Sequence, residues 1–255
     1  KTREELSEAL KAGVTRINVE SVPELDMLSG VASGLDITAD VAVRINPSVD
    51  AKTHEKITTG KSENKFGIDL AVAREVFARA AQLPGINLCG IALHIGSQLM
   101  DLAPYREAYG RAVDFMRVLR SDGIGIEHLD LGGGLGISYD NETAPSPADY
   151  GVMVTEVLGN LDVKVTFEPG RVIAGNAGIL VTRVLFVKEG LEKRFCIIDG
   201  AMNDLIRPTL YSAHHEIVPV FEATAASPCV LMDVVGPICE SGDYLAKDRF
   251  LPMVG

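Results

Sequence analysis

The sequence predicts an α/β protein: part of a (β/α)8 TIM-type barrel over residues 1–177, followed by part of a mostly antiparallel β domain over residues 178–255. Three observations lead to this reading. Up to about residue 172 one unit recurs, a short β-branched run, a turn and an amphipathic helix; strands separated by helices imply parallel pairing with right-handed crossovers. Most of the runs end on their carboxyl side in residues that carry chemistry, which is where a barrel of this type builds its site. After about residue 178 the helical period is lost and short β-rich runs take over.

Taken in order, strands are predicted near Arg16–Val19, Val41–Ile45, Cys89–His94, His128–Leu131 and Val163–Phe167. Helices are predicted at Arg3–Lys11, Pro23–Leu28, Ala71–Gln82, Tyr105–Ser121 and Pro147–Leu158, each bounded by Gly, Pro, Asp or Ser. A closed barrel needs eight strand–helix units, and five are present, so about three are missing. With no initiator methionine either, the expectation is a fragment that begins inside the barrel; an open five-stranded sheet is the competing architecture. In the second half, Ile179–Val187, Phe195–Ile198, Ile217–Phe221 and Cys229–Val235 read as strands with no long helix between them. The chain stops at Leu251–Gly255 without a terminating element, so truncation is expected on that side as well.

The 255 residues, 47% hydrophobic and 23% charged, suffice for a barrel plus part of a second domain. No run approaches the roughly 20 apolar residues of a membrane helix, and Lys1–Lys11 is a charged amphipathic stretch rather than a signal peptide, so a cytoplasmic location is expected. Cys89, Cys196, Cys229 and Cys239 form no Cys-x-x-Cys pair, which suggests reduced thiols and no metal site. A net charge of −11 argues against nucleic acid or an anionic membrane as the main partner, since both demand a basic footprint. An anionic ligand remains compatible where arginines and glycine-rich turns converge.

Five segments carry candidate chemistry. Gly132-Gly133-Gly134 with Gly136 directly follows the strand at His128, and backbone without side chains lets amide donors approach an anion, although a turn needing positive φ explains one or two of the glycines. Glu168-Pro169-Gly170-Arg171 fixes a carboxylate and a guanidinium across a rigid turn; a structural ion pair is the alternative. His94 closes an apolar strand with Ser97 three residues on, a pair suited to ring stacking and phosphate contact, against the plainer account of a structural histidine. Arg207 and Tyr211 lie four residues apart beside Pro208 and suit a carboxylate, or decorate a surface. Cys239-Glu240-Ser241-Gly242-Asp243 is by itself a polar loop. Motifs for metal hydrolases, P-loop enzymes and local serine triads are missing, and the third small residue of a dinucleotide fingerprint falls on Ile137 or Tyr139.

In this order, Arg44-Ile45-Asn46-Pro47, Thr59-Gly60 with Lys65-Phe66-Gly67-Ile68, His94–Gln98, Gly132–Gly136, Glu168–Arg171, Asn203–Tyr211 and Cys239–Asp243 resemble the fold type III pyridoxal-phosphate decarboxylases. Among these, the Arg-Pro-x-Leu-Tyr and Cys-Glu-Ser-Gly-Asp segments resemble the diaminopimelate decarboxylase branch, and the resemblance spans essentially the whole chain. It implies pyridoxal 5'-phosphate as cofactor and decarboxylation of meso-2,6-diaminopimelate to L-lysine, with decarboxylases of arginine, ornithine or carboxynorspermidine, or a non-catalytic pyridoxal-phosphate-binding homologue, as alternatives.

The same resemblance implies the roles. Glu168 would pair with the ring nitrogen and His94 stack on the ring, while Ser97, Gly133, Gly134, Gly170 and Arg171 surround the phosphate. Arg207 and Tyr211, with Arg171, would hold a substrate carboxylate, and Glu240 the distal ammonium. Cys239 would be a proton donor that reaches, with Glu240, the site of a neighbouring subunit, which implies a homodimer. The cofactor-bonding lysine would lie upstream of Lys1, since neither Lys1 nor Lys65 has the family's setting, and this stretch alone is expected to be inactive.

Overall fold

The computed structural model describes residues 1–50, 65–221 and 228–253. They form two compact units, Lys1–Ile137 with Ala144–Asn176, and Ser138–Thr143 with Ala177–Gly255. The Thr59-Gly60 motif lies outside the described residues.

In the first unit, helices start where the sequence offers caps. Thr2 and Glu5 close a capping box on α1 (Arg3–Lys11), Ser21 caps α2 (Val22–Gly34), Asp69 caps α3 (Leu70–Ala80) and Ser146 caps α5 (Pro147–Leu158). The longest, α4 (Ala103–Ser121), buries Tyr105, Ala108, Tyr109, Ala112, Met116 and Leu119, the three- and four-residue spacing of one helical face. Between the helices run β1 (Ile17–Val19), β2 (Ala39–Asn46), β3 (Ile68–Asp69), β4 (Ile86–Ala92), β5 (His128–Asp130) and β6 (Lys164–Thr166). All of these pairings are parallel, in the order β1-β2-β4-β5-β6 with β3 beside β2.

One set of alternate residues, Ile17, Val19, Val41, Val43, Ile45, Ile91, Leu93, Leu129 and Leu131, packs into a core shared with Leu25, Leu28, Phe77 and Met116 from the helices. Burying each such side chain stabilises the fold by about 1.5–3 kcal/mol before conformational entropy is counted. The other set faces inward and is small or polar. The sheet is strongly curled: Arg16 Nη2, just before β1, donates to Thr166 Oγ1 of β6 at 2.8 Å. A flat sheet would hold β1 and β6 roughly 19 Å apart, four strand spacings. The barrel curvature predicted from the sequence is therefore present, in a sheet of six strands rather than five.

The second unit contains a four-stranded sheet in the order β10-β9-β8-β7, built from β7 (Val184–Glu189), β8 (Arg194–Ile198), β9 (Cys229–Val235) and β10 (Tyr244–Pro252). Two of its pairings are antiparallel and β8–β9 is parallel. Cys196, Ile198, Met232, Val234, Leu245 and Ala246 form its core. One expectation is corrected here, and one strand was not expected. Ile217–Phe221 is not a strand, and its Val218, Val220 and Phe221 are exposed. β10 had no counterpart in the sequence reading, because register shifts at Ala246 and the charged Lys247-Asp248-Arg249 break its alternation.

Candidate active site

The inward-facing positions of the curled sheet carry stacked polar contacts. Lowest, Arg16 Nη1 pairs with His128 Nδ1 at 2.9 Å, leaving Arg16 Nε buried without a hydrogen-bond partner among the described residues. Next, Asn18 Nδ2 donates to Asp130 Oδ2 at 3.0 Å, across two intervening strands. At the carboxyl ends Arg44 pairs with Glu20 at 2.8 Å and donates to the His94 carbonyl at 3.2 Å. At Gly90 of β4 the inward face is tight, since a Cβ there would sit 3.1 Å from both the Ala42 and the His128 Cβ. Arg16, Asn18, Glu20, Arg44, His94 and Asp130, with Glu168, line a cavity of ≈ 370 Å3.

Asp130 is 3% exposed, and its Oδ1 accepts the Gly132 N–H at 3.0 Å. Glu168 follows β6, and the Glu168 N–H donates to the Gly132 carbonyl at 2.7 Å. Partial burial and the neighbouring Asp130, with which it shares a hydrogen bond, push the Glu168 carboxyl above its ordinary range, against the opposing pull of Arg44 and Arg16. His94 is desolvated and lies near Arg44, both of which lower its pKa below 6.5. Its Nδ1 accepts the Gly133 N–H at 3.3 Å, so the neutral ring carries its proton on Nε2.

The glycines are spaced for packing as well as for donors. Added Cβ atoms at Gly132, Gly133 and Gly134 would fall 2.3 Å from the Leu93 carbonyl, 2.0 Å from the Glu168 carbonyl and 2.0 Å from the Gly96 carbonyl. Only glycine lets the ends of β4, β5 and β6 converge in this way. The loop carrying Ser97 runs alongside this turn, with the Leu99 N–H donating to the Gly134 carbonyl at 3.0 Å. Gln98 then joins the parts: its Nε2 donates to the Ile137 carbonyl at 2.6 Å, and its Oε1 accepts from Arg171 Nη1 at 3.0 Å. Gly170 precedes the short helix α6 (Arg171–Ala174), and a Cβ there would meet open space. His94, Ser97, Gly133, Gly134, Glu168, Gly170 and Arg171 thus gather at one end of the curled sheet.

The remaining candidates lie in the second unit. Arg207 and Tyr211 bound the single-turn helix α7 (Arg207–Tyr211), whose Thr209 Oγ1 donates to the Gly242 carbonyl at 2.5 Å. This ties α7 to the exposed loop that bears Cys239 and Glu240. Asp243, 4% exposed, anchors the same loop by accepting the Met202 and Ile238 N–H groups, each at 2.7 Å.

Residues 16, 18, 20 and 130 have no site role in the sequence analysis, and Arg44 stands there only as part of a strand-end motif. The available signal was Arg16, Asn18 and Glu20 at every second position of a strand otherwise apolar, the mark of an inward-facing polar row.

The first unit is thus a parallel (β/α) barrel segment with its polar chemistry at the carboxyl ends of the strands, the class of fold that builds enzyme sites there. The family model for the pyridoxal-binding domain of pyridoxal-dependent decarboxylases matches residues 1–175, and the chain belongs to that family. It is 50% identical over 249 residues to diaminopimelate decarboxylase of Neisseria meningitidis serogroup A, covering 98% of this chain and 61% of that protein. Over 98% of this chain and 59% of the relative, it is 46% identical to the Aquifex aeolicus diaminopimelate decarboxylase. Among solved structures, the Helicobacter pylori diaminopimelate decarboxylase complexed with L-lysine superposes with a TM-score of 0.95 at 40% identity, covering all of this chain and 63% of that one. An arginine decarboxylase of Paramecium bursaria Chlorella virus, 22% identical with a TM-score of 0.84, shares the fold. The chain spans about three fifths of the length of the curated relatives it matches.

Proposed function

We propose that the protein to which this chain belongs decarboxylates meso-2,6-diaminopimelate to L-lysine and carbon dioxide, with pyridoxal 5'-phosphate as cofactor. The observation that carries the substrate assignment is the 50% identity to the Neisseria diaminopimelate decarboxylase over 249 residues, which takes in both the Arg207–Tyr211 and the Cys239–Asp243 segments.

The donor set fits the cofactor. The Glu168 carboxyl, raised by burial and by its neighbour Asp130, stands where a cationic ring nitrogen would relieve the repulsion between the two side chains. A neutral His94 presents an aromatic face, and Arg171 with the amides of the glycine turn offers donors of the right charge for a phosphate. When bound, the cofactor supplies the electron sink for the pair left on Cα as carbon dioxide departs.

Within this reading Glu168 holds a proton at the ring nitrogen and Asp130 sets its orientation. His94 stacks on the ring, fixed by Gly133. Ser97, Gly134, Gly170 and Arg171 bind the phosphate. Arg207 and Tyr211, with Arg171, orient a carboxylate of the substrate, Glu240 selects its distal ammonium, and Cys239 returns a proton to Cα. Cys239 and Glu240 are exposed, which supports their service to a second subunit in a homodimer. Among the described residues no helix is long and apolar enough to cross a membrane, which supports a cytoplasmic enzyme.

The test is a substrate panel on the full-length protein with cofactor: lysine and carbon dioxide form from meso-diaminopimelate, while L-ornithine and L-arginine are turned over at least a hundredfold less efficiently. Preference for ornithine or arginine overturns the substrate assignment. Cofactor binding with no decarboxylation of any of the three indicates the non-catalytic homologue instead.

A further inference from the structure

Arg207 is half-buried, and among the described residues no acidic side chain is paired with it. Its guanidinium instead lies over the Tyr139 ring, 4.7 Å from the centroid, and its Nη1 is 3.0 Å from His215 Nε2. Tyr139 and His215 also touch each other edge to face, with centroids 5.4 Å apart and planes at 78°. Each of the two is itself held. Glu142 accepts the N–H groups of Tyr139 and Asp140 at 2.8 and 2.9 Å, closing the turn that presents the tyrosine. Arg249 of β10 donates to the His215 carbonyl at 3.0 Å and contacts His214 Nε2 at 2.9 Å, fixing the histidine's backbone.

A lone arginine side chain spreads over many rotamers, and ordering it costs conformational entropy. A carboxylate that must order the guanidinium on arrival loses affinity to that cost; one that meets a preset fork does not. We infer that Tyr139 and His215 are positioning residues for Arg207: the tyrosine face backs the guanidinium and His215 Nε2 accepts one N–H, which presets the remaining donors for a substrate carboxylate. This rests on the reading that Arg207 anchors such a carboxylate. The anchored group is the one retained in the product, because hydrogen bonds to a departing carboxylate would oppose its loss as neutral carbon dioxide. L-Lysine therefore probes the same contact without turnover.

The experiment uses the full-length protein with pyridoxal 5'-phosphate, steady-state kinetics on meso-diaminopimelate, and L-lysine binding by calorimetry. Tyr139→Leu removes the π face and raises both KM and the lysine Kd about three- to thirtyfold, with kcat within about threefold. Tyr139→Phe keeps the face and stays within about twofold of the parent. His215→Leu raises the same two constants, and His215→Gln, whose carbonyl oxygen replaces Nε2 as acceptor, recovers most of the loss. Flat KM and Kd in Tyr139→Leu, or a fall confined to kcat, overturns the inference. If Tyr139→Leu does not fold, the His215 pair decides: equal losses in the leucine and glutamine variants overturn it. Arg207→Met separates the two readings. If it raises both constants while Tyr139→Leu does not, only the positioning role is wrong; if it leaves both constants unchanged, the carboxylate anchor is wrong and the positioning role falls with it.

Discussion

Replacing Gly133 with alanine tests whether the convergence of strand ends builds the site. The new Cβ would lie 2.0 Å from the Glu168 carbonyl oxygen and 2.9 Å from its carbon, both backbone atoms. Relief requires the segments after β5 and β6 to separate until the closest approach exceeds 3.0 Å. That movement strains the 2.7 Å bond from the Glu168 N–H to the Gly132 carbonyl and the 3.3 Å bond from the Gly133 N–H to His94. Overpacking costs about 1–3 kcal/mol, and a lost hydrogen bond about 1 kcal/mol more, so the expected destabilisation is about 2–4 kcal/mol. Urea unfolding of the full-length protein measures it as a shift of midpoint at constant slope. Gly110, inside α4, has nothing within 4 Å of the added methyl, and alanine there stabilises by about 0.5–1 kcal/mol. A Gly133→Ala midpoint within about 0.5 kcal/mol of the parent refutes the packing argument.

Three further outcomes follow from the same geometry. The Glu168 carboxyl is raised above 4.5 in the folded state, so its contribution to stability is complete below 4.5 and is lost as pH rises through the raised value. Between those pH values the cofactor-free parent therefore loses stability faster than Glu168→Gln, and parallel urea midpoints from pH 4.5 to 7 would contradict this. Tyr109→Phe removes the 3.0 Å donor to the buried Leu131 carbonyl and the 2.7 Å contact with Tyr150, costing about 1–3 kcal/mol in thermal unfolding, and more than Tyr150→Phe. Asp243→Asn turns one of two acceptors against the Met202 or Ile238 N–H. It loosens the Cys239 loop at a cost of about 1.5–3 kcal/mol, seen as faster labelling of Cys239 by a thiol reagent; an unchanged rate would mean that Asp243 does not anchor the loop.

The barrel was legible because two periods coexist in it: alternating apolar residues such as Val41, Val43 and Ile45 along a strand, and the helical spacing of Tyr105, Ala108, Ala112 and Met116 along α4. The strand-end motifs were legible because glycine, proline and charged residues interrupt apolar runs there. Contacts between distant positions were not. Asn18 and Asp130 meet only because the sheet curls, and local spacing does not encode curvature. Ile217–Phe221 has the composition of a strand but no strand to pair with among the described residues, so composition misled. β10 has a partner but an irregular pattern, so the opposite error occurred. No periodicity marks Ser138–Thr143 as packing within the second unit, yet that placement sets Tyr139 over Arg207.

A crystal structure of the full-length protein with pyridoxal 5'-phosphate tests most directly whether the strand ends bearing His94, the glycine turn, Glu168 and Arg171 hold the cofactor. The Glu168 carboxylate is expected within about 2.7–2.9 Å of the ring nitrogen, with His94 over the ring face and the phosphate against Gly134, Gly170 and Arg171. A cofactor seated elsewhere, or Glu168 turned away from its ring nitrogen, would contradict this assignment.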